Sequence, residues 1–144
     1  MSLIRTNDRG FMMTSTLNWD NYPNFKPREL ACKHCGEEGI KPEIMAILQS
    51  IRTITGSPMF ISSGYRCVKH PVEHVKEKKG EHTLGHAVDI ICFGEKATKI
   101  IELAIGLGVK RIGVHQKGAT SGRFVHLGVA DRFDLSFPRS IWTY

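Results

Sequence analysis

Three side chains in the second half of the sequence have the types and the spacing of metal ligands. His82 and Asp89 lie seven residues apart, across a glycine-containing turn into an apolar run, and His126 is flanked by apolar residues. Taken singly, a histidine in an apolar strand is more often a hydrogen-bonded core residue, and an aspartate there often caps a turn. Zinc takes a few nitrogen and oxygen donors at about 2.0–2.2 Å and, in catalytic sites, keeps one position open for water. The three donors together favour a zinc site if their segments are neighbours in the fold.

The elements that must position these donors follow from hydrophobic periodicity. Apolar residues at helical spacing predict a helix from Pro42 to Thr55 that ends at Gly56. Further patterns predict strands at 58–63, 87–93, 111–115 and 123–129, and a second amphipathic helix at 95–106. Asp89 and His126 fall in two of these strands. The order of elements predicts an α+β domain around a small, mainly antiparallel sheet with flanking helices.

The length of 144 residues and a hydrophobic content of 41% are those of a single domain with one core. Residues 1–24 show no sustained periodicity and contain several turn formers, so they are interpreted as an N-terminal arm. Residues 25–144 are then the domain that carries the zinc site.

Longer motifs around the three donors carry a family resemblance. They are His82-x-x-Gly85-x-Ala87-x-Asp89-Ile90, the preceding Ser63-Gly64-Tyr65-Arg66-Cys67, and the following Phe124-Val125-His126-Leu127. The sequence resembles the zinc D-Ala-D-Ala carboxypeptidase and L-alanyl-D-glutamate endopeptidase family, including its phage-encoded members. The likeness covers about residues 25–144, with further matches at Phe25, Glu29, Cys32, Cys35, Arg132 and Trp142.

The resemblance implies the hedgehog/D-Ala-D-Ala peptidase-like fold, with zinc bound by His82, Asp89 and His126. It implies an endolysin-like metallopeptidase, a carboxypeptidase or an endopeptidase, that cuts a peptide bond of the peptidoglycan stem. Arg66 matches the family arginine that binds substrate or stabilises the oxyanion, a role suited to its fixed positive charge. The alternative for Arg66 is an ordinary surface salt bridge.

The sequence departs from the family pattern where a general base is expected. Relatives carry an acid two residues after the last histidine ligand or three residues before it, and here those positions are Gly128 and Arg123. Gly80 replaces the serine that relatives have two residues before the first histidine ligand. His115, on a predicted neighbouring strand, is the best substitute base because an imidazole titrates near neutral pH. Glu81 is a weaker candidate.

Two functions therefore remain open. The chain is either an active zinc peptidase with His115 as base, or a catalytically inactive zinc-binding module of the same fold that binds the cell wall or has a structural role. The enzyme is favoured because the zinc donors and Arg66 are all present.

The net charge of +6 favours an anionic partner, for which the peptidoglycan stem peptide is expected. The densest basic run, at Lys76, Lys78 and Lys79, has no interleaved aromatic residues, and no known nucleic-acid motif is present. A nucleic-acid-binding zinc protein is thus a weaker third alternative, which leaves Asp89 without a purpose. We expect a monomer that binds neither nucleic acid nor a membrane.

The N-terminus lacks the apolar segment of a secretory signal, and no run approaches the roughly 18 apolar residues of a membrane-spanning helix. The sequence therefore predicts synthesis in the cytoplasm, in a phage-infected bacterium by the family resemblance. Action at the cell wall would then need a membrane lesion, a virion, or a leader outside this sequence.

Four cysteines are compatible with two disulfides or with free thiols. Cys32 and Cys35 have the two-residue gap of a zinc knuckle, but a structural zinc needs four ligands and no second such pair follows. Cys67 and either His34 or His70 could complete such a site in space. A pair of thiols or one disulfide is the favoured interpretation.

Overall fold

A five-stranded sheet organises the part of the chain that holds the predicted donors. The computed structural model describes residues 3–6, 12–15 and 17–144. In chain order the elements are β1 (Leu3–Thr6), β2 (Met12–Ser15), α1 (Pro27–Leu30), α2 (Pro42–Thr55), β3 (Phe60–Ser63), β4 (Ala87–Ile91), α3 (Gly94–Gly106), β5 (Arg111–His115), β6 (Phe124–Gly128) and β7 (Ser140–Thr143). The strand order is β3-β4-β6-β5-β7, antiparallel throughout except for the parallel pair β5 and β7. The predicted α+β class with a mainly antiparallel sheet is confirmed.

Helix α2 has the bounds that its sequence pattern predicts. Pro42 stands in the first turn, where its missing N–H costs no hydrogen bond. The helix ends at Gly56, whose φ of 65° is the left-handed conformation that glycine adopts without strain. Its buried face consists of Ile44, Met45, Ile47, Leu48 and Ile51.

The two faces of the sheet have different roles because side chains alternate along each strand. One face contributes Val88, Ile90, Ile112, Val125 and Leu127 to the hydrophobic core, together with apolar side chains of α2 and α3. The opposite face carries the predicted donors of the sheet. A strand that was displaced by one residue would exchange these two sets of side chains.

One row of paired residues crosses all five strands on the face opposite the core. Ser63 on β3 is opposite Asp89 on β4, and Asp89 is opposite His126 on β6. His126 is opposite Gly113 on β5, and Gly113 is paired with Trp142 on β7. The sheet register therefore brings residues from distant parts of the chain into one line.

The sequence analysis predicted neither the short helix α1 nor the strands β1, β2 and β7. Strand β7 was not predicted; it lies at the sheet edge, where Ile141 is exposed and leaves little hydrophobic alternation to detect. Within the predicted N-terminal arm, β1 and β2 form an antiparallel pair with Leu3 opposite Ser15. The turn formers in this segment outweighed the short apolar runs in the sequence analysis. Leu17 and Tyr22, from the same segment, lie in the hydrophobic core.

Among the residues that the structure describes, no helix has both the length and the apolar character needed to cross a membrane.

Candidate metal centre

The structure brings the three predicted donors together at the middle of the row. The Oδ1 atom of Asp89 lies 2.9 Å from Nδ1 of His126 and 3.4 Å from Nε2 of His82. One ligand atom from each residue lies within 4.8 Å of the others, and all three side chains are buried. Two nitrogens and one carboxylate oxygen, from one loop and two strands, are thus close together, and they form the donor set of a catalytic zinc site with one position left for water.

His82 belongs to the loop before β4, and a backbone hydrogen bond fixes its ring. Its Nδ1 atom lies 2.8 Å from the carbonyl oxygen of Gly64, while its own carbonyl accepts from the N–H of Arg66 at 3.2 Å. Because a carbonyl oxygen only accepts, Nδ1 must carry the proton in this contact. Nε2, which faces Asp89, is therefore the nitrogen of His82 that is available to a metal once it has lost any proton.

The ring of His126 is held by a second carboxylate that comes from the same loop as His82. The Nε2 atom of His126 contacts Oε1 of Glu81, on the side of the ring away from Asp89. Glu81 also forms an ion pair with Arg111 at 3.0 Å and accepts the N–H of Ala130 at 3.4 Å. With Nε2 protonated toward this carboxylate, Nδ1 is the nitrogen available to a metal, the arrangement that orients histidine ligands in many zinc sites.

Charge balance in the centre agrees with this assignment. Burial alone would raise the pKa of Asp89, but hydrogen bonds and charges from His126 and His82 hold it well below its usual range. Burial would lower the pKa of His126, and the hydrogen bonds to Asp89 and Glu81 raise it overall. A proton between His126 and Asp89 thus holds the position that a divalent cation takes when it binds and displaces that proton. The residues present fit a zinc ion.

Arg66 lies next to the donors and does not form an ordinary surface salt bridge. Its Nη2 atom is 3.3 Å from Oδ2 of Asp89, and Nη1 is 3.1 Å from the buried carboxylate of Glu73. Its Nε atom donates to Oγ of Ser63 at 2.8 Å. The side chain is only 17% exposed. Three of its five N–H groups are used, which leaves two for a ligand.

His115 lies at the end of β5, on the same sheet face as His126 but further along the strands. Its ring stacks on Phe124 at 5.1 Å between centroids and meets the edge of Tyr144 at 5.8 Å. Its Nδ1 atom is buried without a hydrogen-bond partner in the described part of the chain. Nδ1 of His86 is likewise without a partner in this part of the chain, but His115 is the one that shares the sheet face of His126.

The two positions where the family places an acid have different surroundings. A Cβ atom at Gly128 would overlap the carboxylate of Glu81, so that this side chain fills the space beside the last histidine. Arg123 precedes β6, and its Nε atom donates to the carbonyl of Gly118 at 3.0 Å. The sequence analysis ranked Glu81 only as a weak base and missed its contact with His126. The glycine at position 128 was the one feature of the sequence that could have indicated that another side chain lies there.

Two aromatic side chains border the centre on the β7 side. The ring of Trp142 lies 5.1 Å from that of His126 and also 5.1 Å from the guanidinium of Arg111. A Cβ atom at Gly113 would lie 2.7 Å from both the indole nitrogen of Trp142 and the hydroxyl of Tyr144. Only glycine at this position lets both polar atoms lie over the sheet next to His126.

Comparison with known proteins gives one family. The sequence pattern of the family described as peptidase M15 matches residues 23–128. This range contains the three donors together with Arg66, Glu81 and His115. A comparison with curated proteins finds no match.

Proposed function

Because this chain belongs to the M15 family of peptidases and has the hedgehog/D-Ala-D-Ala peptidase fold of that family, we propose that it is a zinc-dependent peptidase that hydrolyses a peptide bond in the peptidoglycan stem. The observation that supports this most directly is the convergence of His82, Asp89 and His126 beside Arg66. By resemblance we extend the proposal to a phage-type, endolysin-like member that acts as a monomer at the cell wall.

The three donors would hold the zinc ion, each through a defined atom. These atoms are Nε2 of His82, Oδ1 of Asp89 and Nδ1 of His126. When bound, zinc supplies a Lewis acid for the scissile carbonyl and lowers the pKa of a water to about 7. Glu81 acts as a positioning residue, because its carboxylate holds the ring of His126 through the opposite nitrogen.

Arg66 would stabilise the negative charge that builds on the carbonyl oxygen of the scissile bond. Its guanidinium is held in place by Ser63, Glu73 and Asp89 and has two N–H groups left. Donors that are fixed before reaction stabilise developing charge without having to reorganise. The same groups can bind a carboxylate of the substrate, since guanidinium matches carboxylate geometry.

His115 is our candidate for the general base. Glu81 is engaged by His126, Arg111 and the N–H of Ala130, so its carboxylate has little capacity left for proton transfer. His115 shares the sheet face of the donors and has an unpaired ring nitrogen. It lies two positions along β5 from Gly113, the partner of His126, which is about 7 Å along a strand. An imidazole at this distance would transfer a proton through a bridging water molecule, or directly to a substrate group that lies between it and the donors.

An anionic peptide is the substrate that the charge of the chain favours. The net charge of +6 attracts the carboxylates of peptidoglycan stems over long range. Trp142 and Tyr144 offer apolar surface beside the donors for the short side chains of such a peptide.

A second function, a zinc-binding module without catalysis, has one observation in its favour. Glu81 fills the space at Gly128 and is bound on three sides, so no acid is free at the position where relatives have one. A placed base contributes typically 10²- to 10⁴-fold to the rate, so its loss could abolish measurable turnover.

Digestion of purified peptidoglycan by zinc-loaded protein separates the two functions. Released fragments are identified by mass spectrometry, with His82→Ala as the control that lacks one zinc donor. New fragments that depend on His82 would establish the peptidase and identify the bond. Bound zinc without cleavage of walls of several chemotypes would exclude the peptidase and leave the binding module.

A further inference from the structure

Three cysteines from two loops meet outside the metal centre described above. Cys32 and Cys35 belong to the loop after α1, and Cys67 follows β3. Their sulfur atoms all lie within 4.8 Å of one another. Cys32 and Cys67 are buried, and Cys35 is half-buried. In the described part of the chain, which includes all four cysteines, every thiol is free.

The backbone around Cys32 and Cys35 is folded so that its N–H groups face the sulfur atoms. The sulfur of Cys32 accepts the N–H of Cys67 at 3.3 Å and those of His34 and Cys35. Burial raises the pKa of the Cys35 thiol to about 12, although its sulfur accepts the N–H of Glu37. A bound cation deprotonates a coordinating thiol, so the metal itself would complete the set of thiolates. Backbone N–H donors stabilise the negative charge of thiolates, and the thiolate is the form that binds metals.

A tight turn produces this arrangement. The N–H of Gly36 donates to the carbonyl of Cys32 at 2.8 Å, and the N–H of Cys32 donates to the carbonyl of Glu37, also at 2.8 Å. Gly36 has a φ of 79°, a conformation that favours glycine. The turn places both sulfur atoms on one side, directed at Cys67.

From these contacts we propose that Cys32, Cys35 and Cys67 bind a second zinc ion with a structural role. Three soft thiolate ligands select zinc over the hard cations that carboxylates bind. This site does not depend on the proposed peptidase activity, because it shares no ligand with the centre at His82, Asp89 and His126.

A structural zinc needs a fourth ligand, and the two nearby histidines, His34 and His70, are the candidates. His70 is close in the chain to Cys67, but its Nδ1 atom accepts the N–H of Val72 at 3.1 Å. The proton of its neutral ring is then on Nε2, which leaves no lone pair for a metal. The exposed His34, between Cys32 and Cys35 in the chain, is the histidine that remains to supply the fourth ligand.

A metal here would fix the segment that serves the first centre. Arg66 directly precedes Cys67, and the carbonyl of Gly64 holds the ring of His82. The N–H of Tyr65 already donates to the carbonyl of Leu30 at 2.9 Å. Linking the loop after α1 to residues 64–67 through zinc would hold both the guanidinium and the histidine in place.

Metal analysis of protein purified under reducing conditions without chelator tests the proposal. After loading with zinc and removal of the excess, we expect two equivalents in the wild type, one in Cys35→Ser and one in His82→Ala. The matched control is Cys92→Ser, which removes a buried thiol outside the cluster, directly after β4, and should keep both equivalents. A single equivalent in the wild type that His82→Ala removes would overturn the proposal.

Cobalt gives a second measurement that does not require Cys35→Ser to fold. We expect cobalt-loaded wild type and His82→Ala to show the near-ultraviolet charge-transfer band of thiolate bound to cobalt, and Cys35→Ser to lack it. Absence of the band in the wild type would overturn the proposal. So would a disulfide within the cluster, detected by mass spectrometry after alkylation, in protein kept under reducing conditions.

Discussion

The carboxylate of Glu81 occupies the space that a side chain at Gly128 would need. The missing side chain at Gly128 therefore leaves room for the carboxylate of Glu81, and the reason for each residue lies in a distant part of the sequence. The acid that the family pattern places after the last histidine is absent, and a carboxylate from the loop before β4 fills the space. This carboxylate faces the outer nitrogen of His126.

The first prediction concerns this pair. We expect Gly128→Ala to lower the free energy of unfolding by about 1–3 kcal/mol, because a buried Cβ atom would overlap Glu81. In a Glu81→Ala background the same substitution should cost less. Thermal and denaturant unfolding of the four proteins in this double-mutant cycle measures the coupling. Equal costs in both backgrounds would contradict the overlap.

Glu81→Gln should weaken zinc binding about 10- to 100-fold, because an amide holds the ring of His126 less firmly than a carboxylate does. Zinc affinity measured by competition with a chelator tests this. Glu77→Gln, in an exposed loop, is the control and should bind zinc like the wild type. Unchanged affinity in Glu81→Gln would remove the positioning role.

His115→Ala should lower the turnover of peptidoglycan fragments by about 10²-fold or more if His115 is the base, with one zinc equivalent still at the first centre. The measurement combines a rate with the metal content. In addition, the pH profile of kcat/KM of the variant should lack one limb that the wild-type profile has. Wild-type turnover in His115→Ala would reject the assignment.

Gly113→Ala should be destabilising by about 1–3 kcal/mol, because its Cβ atom would lie 2.7 Å from Trp142 Nε1 and from the hydroxyl of Tyr144. Gly122→Ala is a matched control, since a Cβ atom there has no neighbour within 4 Å in the described structure. Tryptophan fluorescence would show whether Trp142 is displaced. Equal stability of the two variants would mean that the strand pair adapts without strain.

Acid stability tests the buried carboxylate of Glu73. Burial would raise its pKa, but hydrogen bonds and charges from Lys76 and Arg66 lower it overall. A group with a lowered pKa stabilises the folded protein above its unfolded pKa, and this contribution is lost as pH falls through the folded pKa. We expect stability to fall on acidification from the ordinary pKa of glutamate downward, and less steeply in Glu73→Gln. Identical slopes in urea unfolding series would contradict this.

Local patterns predicted helices α2 and α3 and strands β3 to β6, whereas pairings across the sheet were not predictable. The spacing of isoleucines before Gly56 predicts α2 because one helix face must be buried. That His126 lies opposite Asp89 depends on the register of β4 and β6, which arises from packing of the whole sheet. The family resemblance supplied this pairing in advance, and periodicity did not.

Other parts of the site had no signal in the sequence. Trp142 contacts His126 because β7 pairs in parallel with β5, and β7 was not predicted. Arg111 contacts Glu81 because β5 pairs with β6, which places Arg111 opposite Gly128. The approach of Cys67 to Cys32 likewise depends on how the segment after β3 packs against α1.

The paired row that crosses the sheet from Ser63 to Trp142 has a consequence for folding. The metal centre can form only after the strands of this row have paired. No hairpin of neighbouring segments contains the full set of donors, since His82 and His126 are separated by more than 40 positions in the chain. Contacts between such distant residues close late, after the entropy of the intervening loops has been lost. A nascent chain would thus have no tight zinc site, and would bind zinc only once β6 has paired with β4.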